Sequence, residues 1–139
     1  MPERLEAGTL NTPGIAGLAA GIEYIRQQRM DNILRKAQGL ARDFYEKVTR
    51  ISGVNIYSGA PVIPIVALNI GDIDSAMVAY YLSSEYGICV RGGAHCAPLL
   101  HRAYGTEKQG MVRFSFSCFN SQEEVNAAVE AIGKISYAS

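Results

Sequence analysis

The stretch from Val90 to His101 brings together the side chains of this sequence that are best suited to chemistry. Cys96 follows a pair of glycines, with Arg91 on their other side. Both histidines of the chain, His95 and His101, lie in the stretch. A thiol is a nucleophile only as the thiolate, and cationic or hydrogen-bond-donating neighbours lower its pKa from about 8.5. The spacing therefore predicts a nucleophilic Cys96, although an inert, half-buried thiol is an equally good interpretation of the stretch alone.

The two glycines and the flanking residues allow for further interpretations. Gly92 and Gly93 permit a positive φ and a close approach of the backbone to a ligand. The segment from His95 to Arg102 has the H-C-x5-R spacing of cysteine phosphatases, but a phosphate cradle needs successive free amides and Pro98 removes one. Structural zinc sites use short cysteine pairs such as C-x2-C, and this sequence has none. Both alternatives are therefore weaker than thiol chemistry.

Arg113 lies in the middle of an alternating stretch, residues 111–117, in which Val112, Phe114 and Phe116 share one face. An arginine at such a position is costly unless its head group reaches water, a carboxylate or a ligand. One interpretation is a solvent-facing position that it shares with the two serines of the stretch. The other is a guanidinium that holds a substrate carboxylate through two parallel hydrogen bonds.

The rest of the sequence predicts the elements that position these residues. Thr12 as N-cap and Pro13 as first helical residue start one helix, and the capping box from Ser121 to Glu124 starts the last. The second helix has an apolar stripe that includes Leu34. Helices are predicted over about 14–28, 31–51, 74–86, 97–103 and 121–137, and strands over 54–57, 64–70, 88–91 and 111–117. We therefore expect an α+β fold, a small sheet packed on helices.

The composition excludes several classes of partner. Thirteen basic residues balance 13 acidic residues, so the chain has no electrostatic footprint for nucleic acid or an anionic membrane surface. No run approaches the ~20 apolar residues that span a bilayer. Three irregularly spaced cysteines argue against a disulfide framework and indicate a reducing compartment. We expect a cytoplasmic protein without a nucleic-acid or membrane partner.

Three sequence blocks, in this order, are similar to those of one enzyme family. They are residues 5–12 (LEAGTLNT), residues 90–99 (VRGGAHCAPL), and residues 112–116 (VRFSF) with the following FN and EE pairs at 119–120 and 123–124. Together they resemble the C-terminal part of class V aminotransferase-type enzymes that use pyridoxal phosphate, in the branch of the cysteine desulfurases and selenocysteine lyases. The resemblance covers essentially the whole chain. It implies the small domain of a fold-type I enzyme, with a three- to four-stranded, mostly antiparallel sheet and helices packed on one side.

The resemblance also implies a role for each candidate residue. Cys96 would be the catalytic nucleophile that takes sulfur from L-cysteine as a persulfide, with release of L-alanine. Arg113 would bind the substrate α-carboxylate, and Arg91 and His95 would line the same substrate pocket. Thr9 would reach the phosphate of pyridoxal 5′-phosphate held by the neighbouring subunit, which implies a homodimer. A sulfur-acceptor protein and a part in iron–sulfur cluster assembly are implied as well.

The chain lacks the motifs of the large domain of that family, including the lysine that holds the cofactor. We expect residues 1–12 to be an interface or linker segment from the large domain and residues 13–139 to be the small C-terminal α+β domain. The chain is thus expected to be a fragment that is inactive by itself. Two other functions stay open: a domain of an enzyme for transamination or selenocysteine lysis, and a non-catalytic dimerisation or binding module.

Overall fold

The computed structural model describes residues 8–138, so Leu5, Glu6 and Ala7 of the first sequence block lie outside the described residues. The chain divides into two compact units, Met1–Ile33 and Leu34–Ser139. Whether a domain boundary follows residue 12 stays a prediction. None of the described helices is long and apolar enough to cross a membrane. In chain order the elements are α1 (Thr12–Gln28), α2 (Met30–Val48), β1 (Val54–Ile56), β2 (Ile65–Ile70), α3 (Ser75–Tyr86), α4 (Pro98–Tyr104), β3 (Val112–Ser115) and α5 (Gln122–Ala138).

The first unit contains α1, and this helix is capped by Asn11 rather than by the predicted Thr12. The Asn11 side-chain oxygen accepts a hydrogen bond from the Gly14 amide at 3.0 Å. Because asparagine satisfies an amide of the first turn from outside the helix, Thr12 takes the first helical position. No residue of α1 is buried. Its apolar side chains at helical spacing are 42% to 66% exposed: Ile15, Leu18, Ile22 and Ile25.

The second unit is built on a three-stranded antiparallel sheet in the order β1-β2-β3. Side chains alternate between the two faces of a strand, and α2, α3 and α5 supply the apolar side chains that pack on one face. The α+β fold with a small antiparallel sheet is thereby confirmed. The core of this unit includes Phe44, Val48, Val66, Leu68, Ile70, Val78, Leu82, Val112, Phe114, Val125 and Ile132.

The predicted strand over residues 88–91 is not formed. Only Arg91 pairs with β3, in a single antiparallel bridge to Arg113. The chain is held back at the end of α3, because the Ile88 amide donates to the Leu82 carbonyl at 2.8 Å. A cleft of about 370 Å³ consequently separates this segment from the end of β3 and the start of α5.

Candidate functional site

The sheet face opposite the helices carries polar side chains. Arg113 of β3 lies on this face, paired in register with Ala67 of β2, and Asn69 follows two residues along β2 on the same face. The backbone of Arg113 exchanges two hydrogen bonds with that of Arg91, at 2.8 and 3.2 Å. Two of the predicted site residues are therefore neighbours at the edge of the sheet.

The two glycines fit the turn after Arg91 against the start of α3. A Cβ on Gly92 would lie 2.4 Å from the Ser75 carbonyl oxygen, which no side chain tolerates. Gly93 has a φ of 106°, and its amide donates to the Ser75 hydroxyl at 3.0 Å. The positive φ predicted for the turn is thus found at Gly93, whereas Gly92 is required by contact with the protein's own backbone.

Cys96 is exposed on this turn and faces a cation. Its Sγ lies 3.8 Å from Nη2 of Arg91, close enough for the guanidinium to donate a hydrogen bond to the sulfur. Both His95 and Cys96 have a positive φ, 51° and 59°, although neither is glycine. Left-handed backbone angles at non-glycine residues are uncommon and occur most often where other contacts hold them.

The side chain of His95 makes one of the contacts that hold this turn. Its Nε2 lies 2.9 Å from the Met111 carbonyl oxygen, and because a carbonyl only accepts, Nε2 carries the proton. Burial lowers the pKa of His95 below its usual 6.5, and the nearby charges of Arg113 and Arg91 lower it further against the opposing effect of the Met111 hydrogen bond. The lowered pKa favours the neutral imidazole, in which Nδ1 is an acceptor.

Four buried polar atoms in this region have no hydrogen-bond partner: Asn69 Oδ1, His95 Nδ1, His101 Nε2 and Arg113 Nε. Folded proteins leave few such atoms, and a group of them marks a place where a ligand or water supplies the partners. Asn69 was not among the residues predicted for the site. The signal that could have found it is a single polar residue inside the β-branched run of β2.

Within the second unit, the structure brings Arg91, His95, Cys96 and Arg113 together. Thr9 lies ahead of α1 in the first unit and is exposed. All three cysteines are free. Within residues 8–138, no three His, Cys, Asp or Glu side chains form a group that could hold a metal ion.

Comparison with known proteins places these residues in a family context. The model of the aminotransferase class-V family matches residues 1–128. A cysteine desulfurase of Salmonella agona (strain SL483) is 37% identical over 134 residues, which are 96% of this chain and 32% of that protein. The apo structure of cysteine desulfurase from Thermococcus onnurineus NA1 is similar with a TM-score of 0.87 at 33% identity, over 99% of this chain and 34% of that one.

A second solved structure, the cysteine desulfurase CsdA (S-sulfonic acid) from Escherichia coli, is similar with a TM-score of 0.83 at 26% identity, over 99% of this chain and 33% of that one. The chain spans about a third of the length of the curated relatives it matches, 32% for the one from Salmonella agona. The family match takes in the Cys96 turn, Arg113 and the start of α5. The chain therefore belongs to the class-V aminotransferase family.

Proposed function

We propose that the complete enzyme is a pyridoxal-phosphate-dependent cysteine desulfurase and that this chain supplies its sulfur-accepting residue, Cys96. The observation that carries the proposal is an exposed thiol 3.8 Å from the Arg91 guanidinium, on a turn whose base is paired with Arg113. The guanidinium donates to the sulfur and so orients an exposed thiol, the group whose deprotonated form attacks sulfur. The relatives named above are cysteine desulfurases, which supports this choice of reaction.

L-cysteine is the proposed substrate, and the side chains around Cys96 suit an amino acid. Arg113 has a buried Nε without a partner, so it retains a donor for the α-carboxylate. His95 and Arg91 lie beside Arg113, since Arg91 is bridged to it and the His95 ring is bonded to the neighbouring Met111 carbonyl. A guanidinium donor for the carboxylate is what binding of an α-amino acid requires first.

The reaction step assigned to this chain is a sulfur transfer. The Cys96 thiolate attacks the sulfur of the substrate, and an S–S bond forms while the C–S bond of the substrate breaks. The electron pair of the broken bond stays with the three-carbon fragment, which takes up a proton and leaves as L-alanine. Cys96 is left as a persulfide, which a thiol or a sulfur-acceptor protein collects, for example for iron–sulfur cluster assembly.

The described residues fit the substrate of such an enzyme better than they fit the attachment of its cofactor. The four lysines of the described residues lie outside the Cys96 turn and β3: Lys47 and Lys134 pair with carboxylates, and Lys36 and Lys108 are exposed. We propose that the lysine that holds pyridoxal 5′-phosphate comes from another part of the enzyme and that Thr9 contacts the phosphate. The bound cofactor supplies the electron sink that weakens the C–S bond.

The assembly we propose is a cytoplasmic homodimer in which residues 1–12 are an interface or linker segment and residues 13–139 the small domain. The exposed apolar stripe of α1, from Ile15 to Ile25, supports an interface on the first unit, because contiguous apolar surface of this kind is usually covered by another protein surface. The mass of the complete enzyme measured by light scattering tests the dimer.

Replacement of Cys96 by serine in the complete enzyme tests the proposed function. The mass of each cysteine-containing peptide is measured after incubation with L-cysteine, and the added sulfur atom is expected on Cys96 in the parent and on no peptide in the variant. Cys89→Ser and Cys118→Ser are matched controls, since both thiols are also free, and both variants should form the Cys96 persulfide. Persulfide formation at the parental rate in Cys96→Ser would show that the assignment is wrong. The 139-residue chain alone should release no alanine.

A further inference from the structure

We propose that Thr106 and His101 are positioning residues for the Cys96 turn, acting through His95. The proposal rests on the proposed function, because it concerns the same thiol. The structure contains two hydrogen bonds at neighbouring rings, one between the Thr106 hydroxyl and His101 and one from His95 to the Met111 carbonyl. One water molecule between the two imidazoles would join these bonds into one hydrogen-bond chain and supply both orphaned nitrogens with a partner.

The His101 end of the chain is buried and fixed from two sides. His101 is 1% exposed and Thr106 4% exposed. The Nδ1 atom of His101 lies 2.9 Å from the Thr106 hydroxyl oxygen, and the Thr106 amide donates to the His101 carbonyl at 2.9 Å. These two hydrogen bonds connect α4 to the loop that follows it and fix the orientation of the His101 ring. The Nε2 atom of this ring is buried without a partner.

The direction of the chain follows from what each group can donate. Among the described contacts, the Thr106 hydroxyl has only His101 as a partner, so the buried hydroxyl hydrogen is satisfied if it is donated to Nδ1. His101 then carries its proton on Nε2, which is a donor. His95 carries its proton on the Nε2 that faces Met111, so its Nδ1 is an acceptor.

The space between the rings suits a single bridging molecule. The ring centroids of His95 and His101 are 6.0 Å apart with an interplanar angle of 41°. One water with a hydrogen bond of about 2.9 Å to each of two partners spans up to roughly 6 Å, which is comparable to this separation of the rings. Burial, and after it the nearby charges of Arg113 and Arg91, disfavour a second proton on His95, so its Nδ1 stays available as an acceptor.

The thiol is affected because Cys96 directly follows His95 in the chain. A fixed His95 ring holds two successive residues at positive φ, and this backbone geometry sets the distance of 3.8 Å from Sγ to the Arg91 guanidinium. If the chain is interrupted at Thr106, the His101 and His95 rings lose their orientation and the thiol spends less time beside Arg91. Thr106 and His101 thus act on the chemistry without touching substrate.

Nitrogen NMR of the 139-residue chain tests the first half of this proposal, because the two histidines give only two sets of ring signals. The neutral form of each ring is expected to carry its proton on Nε2. A neutral His101 or His95 ring with its proton on Nδ1 would contradict the chain. This measurement needs no enzymatic activity, so it can fail or succeed independently of the proposed function.

Alkylation of the thiols tests the second half. Thr106→Val keeps the shape of the side chain and removes the hydroxyl, and the alkylation rate of Cys96 by iodoacetamide should fall about threefold to tenfold, the effect of one net hydrogen bond. Thr106→Ser should restore the rate. Thr49→Val, which removes a hydroxyl bonded only to the Tyr45 carbonyl of α2, is the matched control and should leave it unchanged.

The exposed Cys89 reports on general unfolding in the same samples, because peptide mapping separates it from Cys96. Its alkylation rate should be equal in all variants. An unchanged Cys96 rate in Thr106→Val, an equal change at Cys89, or a serine variant that fails to restore the rate would each overturn the positioning role.

Discussion

The two faces of the small sheet differ in how completely their side chains are satisfied. On the helix-covered face, Phe44, Leu68 and Phe114 are buried among other apolar groups, and the Phe44 ring lies 4.7 Å from that of Phe114. On the opposite face, Asn69 and Arg113 each have a buried polar atom without a hydrogen-bond partner. Strand β3 contributes side chains to both faces, because its successive side chains point in opposite directions.

This difference teaches which part of the molecule is built for stability and which for chemistry. Apolar burial needs no further partner, so the helix-covered face is complete in this chain. Buried polar atoms without partners cost free energy of folding, and they persist where a ligand or water completes them. The contrast predicts that substitutions on the two faces have opposite consequences for stability and for sulfur chemistry.

The largest effect is expected from Phe44→Ala on the helix-covered face. Phe44 is fully buried, and its loss should lower the free energy of unfolding by about 3–5 kcal/mol because a cavity forms between α2 and the sheet. Urea denaturation of the chain measures this value. Tyr137→Ala is the control, since Tyr137 is 97% exposed and its replacement should change stability by less than about 0.5 kcal/mol. A loss at Phe44 as small as at Tyr137 would break the comparison.

A smaller effect of opposite sign is expected from Arg113→Met on the other face. Methionine keeps an unbranched side chain and removes the unpartnered buried Nε, so the free energy of unfolding should stay unchanged or rise by up to about 1 kcal/mol. In the complete enzyme the same variant should lose most of its affinity for L-cysteine, measured as a raised KM. A loss of stability comparable to that of Phe44→Ala would mean that Arg113 belongs to the structural part of the sheet.

The smallest effect is expected from a change of pH, because His95 beside the polar face and Glu124 at the start of α5 affect stability in different pH ranges. His95 has a lowered pKa in the folded chain, so the unfolded chain binds its proton first, and stability falls as the pH drops below about 6.5 towards the folded value. Glu124, at the start of α5, also has a lowered pKa because Asn120 and the Ser121 amide donate to its carboxylate, so its contribution is lost only below about 4.5.

Urea denaturation over this pH range should therefore show two steps. His95→Gln should flatten the step at the higher pH, and Glu124→Gln should flatten the lower one. A His95→Gln variant whose stability still falls in the upper range would indicate that another group is responsible.

Local chemistry made much of the fold predictable. The alternation of residues 111–117 gave the correct faces for Val112, Arg113 and Phe114. The capping box was predicted from Ser121 and Glu124, and the two residues do bond reciprocally, at 3.2 and 3.0 Å. These features depend on residues close in sequence, and their physics is the same in any fold.

Features that depend on distant contacts were not predictable. Leu34 continues the apolar stripe of α2 but is 49% exposed, because helical spacing defines a face and not what covers it. The strand over 88–91 failed because its first amide is bonded at the end of α3. His101 was visible as a neighbour of Cys96, but its alignment with His95 arises only when α4 folds.

The left-handed backbone at His95 and Cys96 has a consequence for the sulfur transfer that we propose. Each of these two residues has a left-handed backbone conformation that costs on the order of 1 kcal/mol relative to the right-handed one. Loss of the His95–Met111 hydrogen bond would release this conformation, so that an outward movement of the turn would cost little free energy. In the function that we propose, such a movement would carry the sulfur on Cys96 from the substrate to its acceptor.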